Sequence, residues 1–299
     1  MSRRNLWLAL LAVAVLAGCA SVAKLGTQVA QDQGVITADQ AGSINRTTDA
    51  IAKSFEDITP EQEYYIGRAV AADILETYKP WDAAAANAYV NALGQTLALA
   101  SDRPETFAGY HFLLLDSAEI NAFAAPGGLI LVTRGLARCC SSEDELAAVL
   151  AHEIAHVQNR DGLRAIKKSR LTTALATVTV ETARQLGDQQ LKDLTAQFEG
   201  GVQDITQTLV NSGYARGLEH EADQDAVVIL ERLGYDSSAL MRMLRTMDQR
   251  LTAGGPGFAR THPSARDRMQ AVAGQATGDG AAAPTPARGR RFAEAMAGV

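Results

Sequence analysis

Hydrophobic and polar positions change their spacing several times along the chain, and each change predicts an element. Twelve apolar residues run unbroken from Leu6 to Ala17, and from Ala20 to about Phe55 an Ala, Gly, Gln, Ser and Thr-rich stretch keeps no firm period. Near Thr59 the segment TPEQE offers an N-cap, a proline for the first turn and two glutamates for the positive helix end. Helical spacing continues through Ile66, Val70 and Ile74, and a second helical stretch runs from Asp82 to about Leu99. The runs HFLLLD (His111 to Asp116) and LILVT (Leu129 to Thr133) are short, apolar and strand-like, with Pro126, Gly127 and Gly128 between them, and they predict a small antiparallel sheet. Helical spacing returns from Glu143 to about Gln158, between Asp161 and Val210, and from Tyr214 to Leu233, where Gly234 stops it. No internal repeat of solenoid type is present. The expectation is an α+β, mainly helical fold.

The two ends read differently from the middle. Arg3 and Arg4, the apolar run and LAGC at Leu16 to Cys19 have the parts of a secretory signal, and the run is too short to span a bilayer. The small residues before Cys19 resemble a bacterial lipobox, which makes Cys19 the expected lipidation site, with Ala20 matching sorting to the outer membrane. Residues 1–18 are then a lipoprotein signal peptide, 19–55 a tether, 56–275 the catalytic domain and 276–299 a low-complexity tail ending in a possible short helix, FAEAMAGV. A formal net charge of −6 argues against a nucleic-acid partner. Cys139 and Cys140 are too few for a disulfide framework and read as small, partly buried thiols.

Chemistry concentrates in two helices. In SSEDELAAVLAHEIAH, Ser142 and Glu145 have capping-box spacing, and Val149, Leu150, Ile154 and Val157 form one apolar stripe with His152 and His156 along its edge. Glu153 falls inside that stripe, where packing alone does not explain a carboxylate. Two histidines at i and i+4 can bind one Zn²⁺ while the glutamate between them faces the attacking water. In GYARGLEHEADQDAVVILERLG, helical geometry puts Glu219 and Asp223 on an otherwise apolar face and turns Glu221 and Asp225 to the solvated side. Adjacent buried carboxylates need a cation, so Glu219 is the expected third ligand and Asp223 the acceptor that fixes a ligand ring, His152. His111 and His220 read as structural. The spacing of THPSARDR leaves His262 open between a structural turn and the site.

With TPEQEYYIGR, NAFAAPGG, SEDELAAVLAHEIAH, YARGLEHEAD and THPSARDR in that order, the chain from Thr59 to Met269 resembles the HtpX and CAAX prenyl protease family of gluzincin metallopeptidases. Lacking that family's membrane helices between the motifs, it is most similar to the periplasmic lipoprotein branch of BepA and LoiP. The resemblance implies a zincin-like domain with one zinc per chain on His152, His156 and Glu219, and Glu153 as general base. It places His262 and Arg268 at the active site as catalytic groups, His262 as a latch or an oxyanion stabiliser. Gly128, Leu129, Ile130 and Leu131 become the edge strand that pairs with substrate. It also implies unfolded or extended polypeptide substrates, outer-membrane proteins or their assembly machinery as partners, and quality control in the periplasm from a lipid anchor. Ala215 departs from the family, which often has Ser there. Outside this class, a zinc-bearing envelope chaperone with latent proteolysis and a structural zinc site closed by four ligands are the competing readings.

Overall fold

The computed structural model describes residues 58–165, 200–251, 258–276 and 285–299. Expectations about the leader, Cys19, the tether and most of the stretch after Asp161 lie outside these residues.

Helix α1 (Pro60–Thr77) and helix α2 (Ala84–Ala98) precede strands β1 (His111–Leu115), β2 (Ala122–Ala125) and β3 (Leu129–Thr133). Next come a short α3 (Arg134–Ala137), capped by Thr133 Oγ1 accepting from Leu136 N–H, the long α4 (Glu143–Gln158) and a single turn α5 (Asp161–Arg164). A π-helical turn at Thr208–Ser212 leads to α6 (Arg216–Arg232), α7 (Ser238–Arg250), α8 (Phe258–Thr261), α9 (Ala265–Val272) and α10 (Pro286–Ala295). All belong to one compact unit, residues 60–166 with 199–299. No helix among the described residues is long and apolar enough to cross a membrane.

The sheet corrects two expectations. Its order is β1-β3-β2, with β1 parallel and β2 antiparallel to β3, so it is mixed rather than antiparallel. The cause is β2, which forms the hairpin with β3 and leaves β1 to join β3 from the other side, after a crossover. Strand β3 is therefore central, with both edges filled, and Gly128 to Leu131 cannot be the strand that receives a substrate backbone. The hairpin turn needs Gly127 and Gly128, whose φ values of +77° and +100° lie in the left-handed region. Buried Glu63 of α1 fixes this turn, accepting from Gly127 N–H at 3.3 Å while Arg103 grips both its oxygens at 2.8 Å. On the far edge, the side chains of Asn87 and Asn91, one helical turn apart on α2, bond Leu114 N–H and Phe112 N–H and so close β1.

The core sits between the sheet and α4. Ser142 accepts from Glu145 N–H, while the Glu145 carboxylate reaches back to Ser141 N–H and Oγ at 2.7 and 2.8 Å. Glu143, Asp144 and Glu145 all lie in the first turn, opposite in sign to the helix end they face. Every residue of α4 from Glu143 to Val157 is buried, so the single apolar stripe understated its position: this is a central helix, with α6, α2, α7 and β2 packed around it. Cys139 and Cys140 are free and buried beside α7, with Cys140 Sγ 3.9 Å from Met243 Sδ. Arginines of α10 reach the acidic first turn of α4: Arg291 pairs with Glu143, and Arg288 approaches Asp144 at 3.4 Å.

Candidate metal centre

One helical turn of α4 carries His152, Glu153 and His156, and α6 crosses it with Glu219 and Asp223 facing inward; all five are at most 2% exposed. His152 Nε2 and His156 Nε2 lie 3.2 Å apart, and each is 3.6 Å from an oxygen of Glu219. His262, which follows α8, brings its Nε2 to 3.8 Å from Glu219 Oε1. One donor atom from each of His152, His156, Glu219 and His262 thus falls within 4.8 Å of the others. His220 is turned away toward Asp267, at 3.6 Å.

What surrounds the donors tests whether this point suits a cation. Both Glu219 oxygens are shut off from solvent and have no hydrogen-bond partner, and the same holds for Glu153 Oε1. Leaving ionised oxygens so is costly. In the cation-free site, burial pushes the Glu219 carboxyl up to about 8 and that of Glu153 up to about 6. Meanwhile the outer nitrogen of each ring on α4 has its own carboxylate. His152 Nδ1 lies 3.1 Å from Asp223 Oδ1 and His156 Nδ1 lies 2.8 Å from Asp161 Oδ2. The tautomers that donate to these carboxylates turn both Nε2 lone pairs to the shared point, which is the arrangement a soft divalent metal requires.

Asp223 is in turn gripped by Arg268, whose Nε and Nη2 donate at 2.8 and 2.5 Å; although burial opposes its charge, the guanidinium holds this carboxyl well below the usual range. Arg268 thereby fixes Asp223 and, through it, His152. Asp161 is likewise held by Arg164 at 2.9 Å. Burial lowers the His152 pKa to about 3, with Arg268 adding to the effect. For His156 burial also disfavours charge, but Asp161 and Glu219 outweigh it and raise the ring to about 9. His262 stacks face to face on Phe258, with centroids 3.6 Å apart, and Phe258 N–H donates to Ile120 O just before β2.

The sequence reading missed Asp161, Tyr214 and Phe258. In NRDG, Asp161 looks like a turn residue; Arg160 at φ 56° reverses the chain so that Asp161 returns beneath His156. Tyr214 lies before α6, and its ring sits 4.6 Å from that of His156.

Residues 84–276, well over half of the chain, match the model of peptidase family M48. The chain belongs to peptidase family M48. Membership assigns it to the metallopeptidases. A beta-barrel assembly-enhancing protease of Yersinia pestis is 33% identical over 60% of this chain and 37% of its own length, and that of Escherichia coli is 32% identical over the same shares. A mitochondrial metalloendopeptidase OMA1 of Schizosaccharomyces pombe is 32% identical over 51% of this chain and 42% of its own. The chain thus spans less than half of each of these relatives.

Proposed function

We propose that this protein is a zinc-dependent endopeptidase of the bacterial cell envelope that cuts extended or unfolded polypeptides and is latched at rest by His262. The observation that carries the reading is the convergence of His152 Nε2, His156 Nε2 and a Glu219 carboxylate with no other partner, beside an equally unpartnered Glu153 oxygen. His152, His156 and Glu219 would hold zinc, which when bound would supply an acidified water and polarise the scissile carbonyl. Glu153 accepts the water's proton at Oε1 and passes it to the leaving amine; a carboxyl raised by burial suits both transfers. Asp223 and Asp161 hold the two rings in register, and Arg268 acts through Asp223.

An extended substrate would pair with β2, the sheet edge that packs on α4. The bond from Phe258 N–H to Ile120 O stands at the head of that edge, on the same short helix that leads to His262. Substrate entry would therefore draw His262 away from Glu219. The LAGC leader and the names of the relatives support a lipid-anchored, outer-membrane setting and β-barrel proteins as substrates.

Glu153→Gln should keep one zinc per chain and abolish cleavage of unfolded casein; retained cleavage would refute the assignment. The competing reading, a structural site closed by four ligands, is favoured by the reach of His262 to Glu219 and disfavoured by the buried, unpartnered Glu153. Replacing His262 with Ala separates them. A latch predicts retained zinc and faster cleavage, whereas a structural site predicts metal loss and unfolding.

A further inference from the structure

The metal centre contains a donor that no step above uses. Tyr214 enters just before α6, and its ring lies against His156 at 4.6 Å with a 40° tilt. Its hydroxyl oxygen is closed off from solvent and has no hydrogen-bond partner. The hydroxyl lies over Gly162 of α5, where a Cβ would be 3.5 Å from it. The charges it senses are Asp161, Glu153 and Glu219.

A buried hydroxyl without an acceptor costs about 1–3 kcal/mol. Other oxygens of the same site, Glu153 Oε1 and both of Glu219, are also without partners. Yet the phenol bonds to none of them, so a direct bond does not resolve either side. A species placed between them does, if it offers an oxygen to the phenol while facing the carboxylate side.

We propose that Tyr214 is a catalytic residue whose hydroxyl donates a hydrogen bond to the peptide oxygen that gains negative charge during hydrolysis. This rests on the peptidase reading above. The phenol O–H serves as a donor only and does not compete with Glu153 as a base. The hydrogen bond strengthens as charge develops, which lowers the barrier without tightening substrate binding. Its ring has a separate task, packing on His156.

The test compares zinc-loaded wild type with Tyr214→Phe and Tyr214→Leu in three measurements: zinc affinity, binding of acetohydroxamate, and steady-state cleavage of casein. Tyr214→Phe should keep zinc affinity within about twofold, bind acetohydroxamate about tenfold more weakly, and lose about 10²-fold in kcat with KM unchanged. Tyr214→Leu, which also removes the ring, should lose zinc affinity in addition. Unchanged hydroxamate binding in Tyr214→Phe would overturn the proposal, and so would a loss of activity that merely follows zinc loss. If the wild type takes up zinc but neither binds hydroxamate nor cleaves casein, the peptidase reading falls and this role falls with it. If the wild type binds hydroxamate but casein stays intact, the hydroxamate comparison still decides for or against Tyr214.

Discussion

Removing the C-terminal helix should destabilise the catalytic helix from its far end. Helix α10 lies beyond the matched family segment and docks on the start of α4. Phe292, Met296 and Val299 pack half-buried against the core, and Arg288 lies 4.2 Å over the Tyr235 ring. Arg291 pairs with Glu143, a buried carboxylate that also accepts from Tyr89 and Tyr235 hydroxyls at 2.9 Å each. Half-burial of three apolar side chains contributes about 1 kcal/mol each, and a partly desolvated cation–π contact about another 1. Arg291 is half-exposed, so its ion pair adds at most about 1 kcal/mol. Ordering the helix offsets part of this total. Ending the chain after residue 284 should therefore cost about 2–4 kcal/mol, or roughly 5–15 °C in Tm for a unit of this size. Calorimetry on the truncated and full chains measures it, with Arg288→Ala/Arg291→Ala separating the charged share, which should shrink in 1 M salt. A Tm shift below about 2 °C would refute the docking argument, because α10 would then be bound no better than a free tail.

Three shorter predictions address the site itself. Asp161→Ala removes the acceptor for His156 Nδ1 and should weaken zinc binding about 10- to 100-fold, read by competition with a chromophoric chelator; unchanged affinity would mean that His156 needs no outer partner. Ala215 is the N-cap of α6 and offers no side-chain bond, so Ala215→Ser should raise stability by about 1 kcal/mol in a denaturant titration. Without metal, Glu219 and His156 have folded pKa values raised to about 8 and 9, so the stability they provide on protonation is lost from pH 4.5 to 8 for Glu219 and from 6.5 to 9 for His156, with both falling between 6.5 and 8. The Tm of zinc-free protein should fall across that window, and saturating zinc should flatten it; a zinc-free Tm that rises there would contradict the assignment.

The parts of the site that helical periodicity can express were legible in the sequence. The i, i+4 pairs His152/His156 and Glu219/Asp223 each define one face of one helix, and the buried face of α6 is where the spacing put it. What depends on how elements meet was not legible. Strand β2 is AFAA, four small or apolar residues with neither alternation nor β-branching, and only its place against α4 and β3 makes it a strand. The direction of β1 followed from that missing strand. Asp161 escaped because a left-handed Arg160 decides where it points, and Tyr214 because its neighbours come from other elements.

The buried carboxylates of the domain fall into two kinds, and the division locates the chemistry. Glu63 faces Arg103, Glu143 faces Arg291, Asp161 faces Arg164 and Asp223 faces Arg268. In each pair the fold supplies its own counter-charge, as burial demands. Glu153 and Glu219 have no arginine or lysine paired with them within the described residues, and the Glu219 oxygens lie 3.6 Å from the two Nε2 atoms of α4. With both rings neutral, as metal binding requires, these two uncompensated carboxylates leave a deficit of two positive charges, which one divalent cation cancels. Without it the protein can only protonate, and the raised pKa values of Glu153 and Glu219 have that direction. A structural site would require the cation to neutralise Glu219 alone and would leave Glu153 to be stabilised by other means. A hydrolytic site explains both, since Glu153 then has a proton to receive.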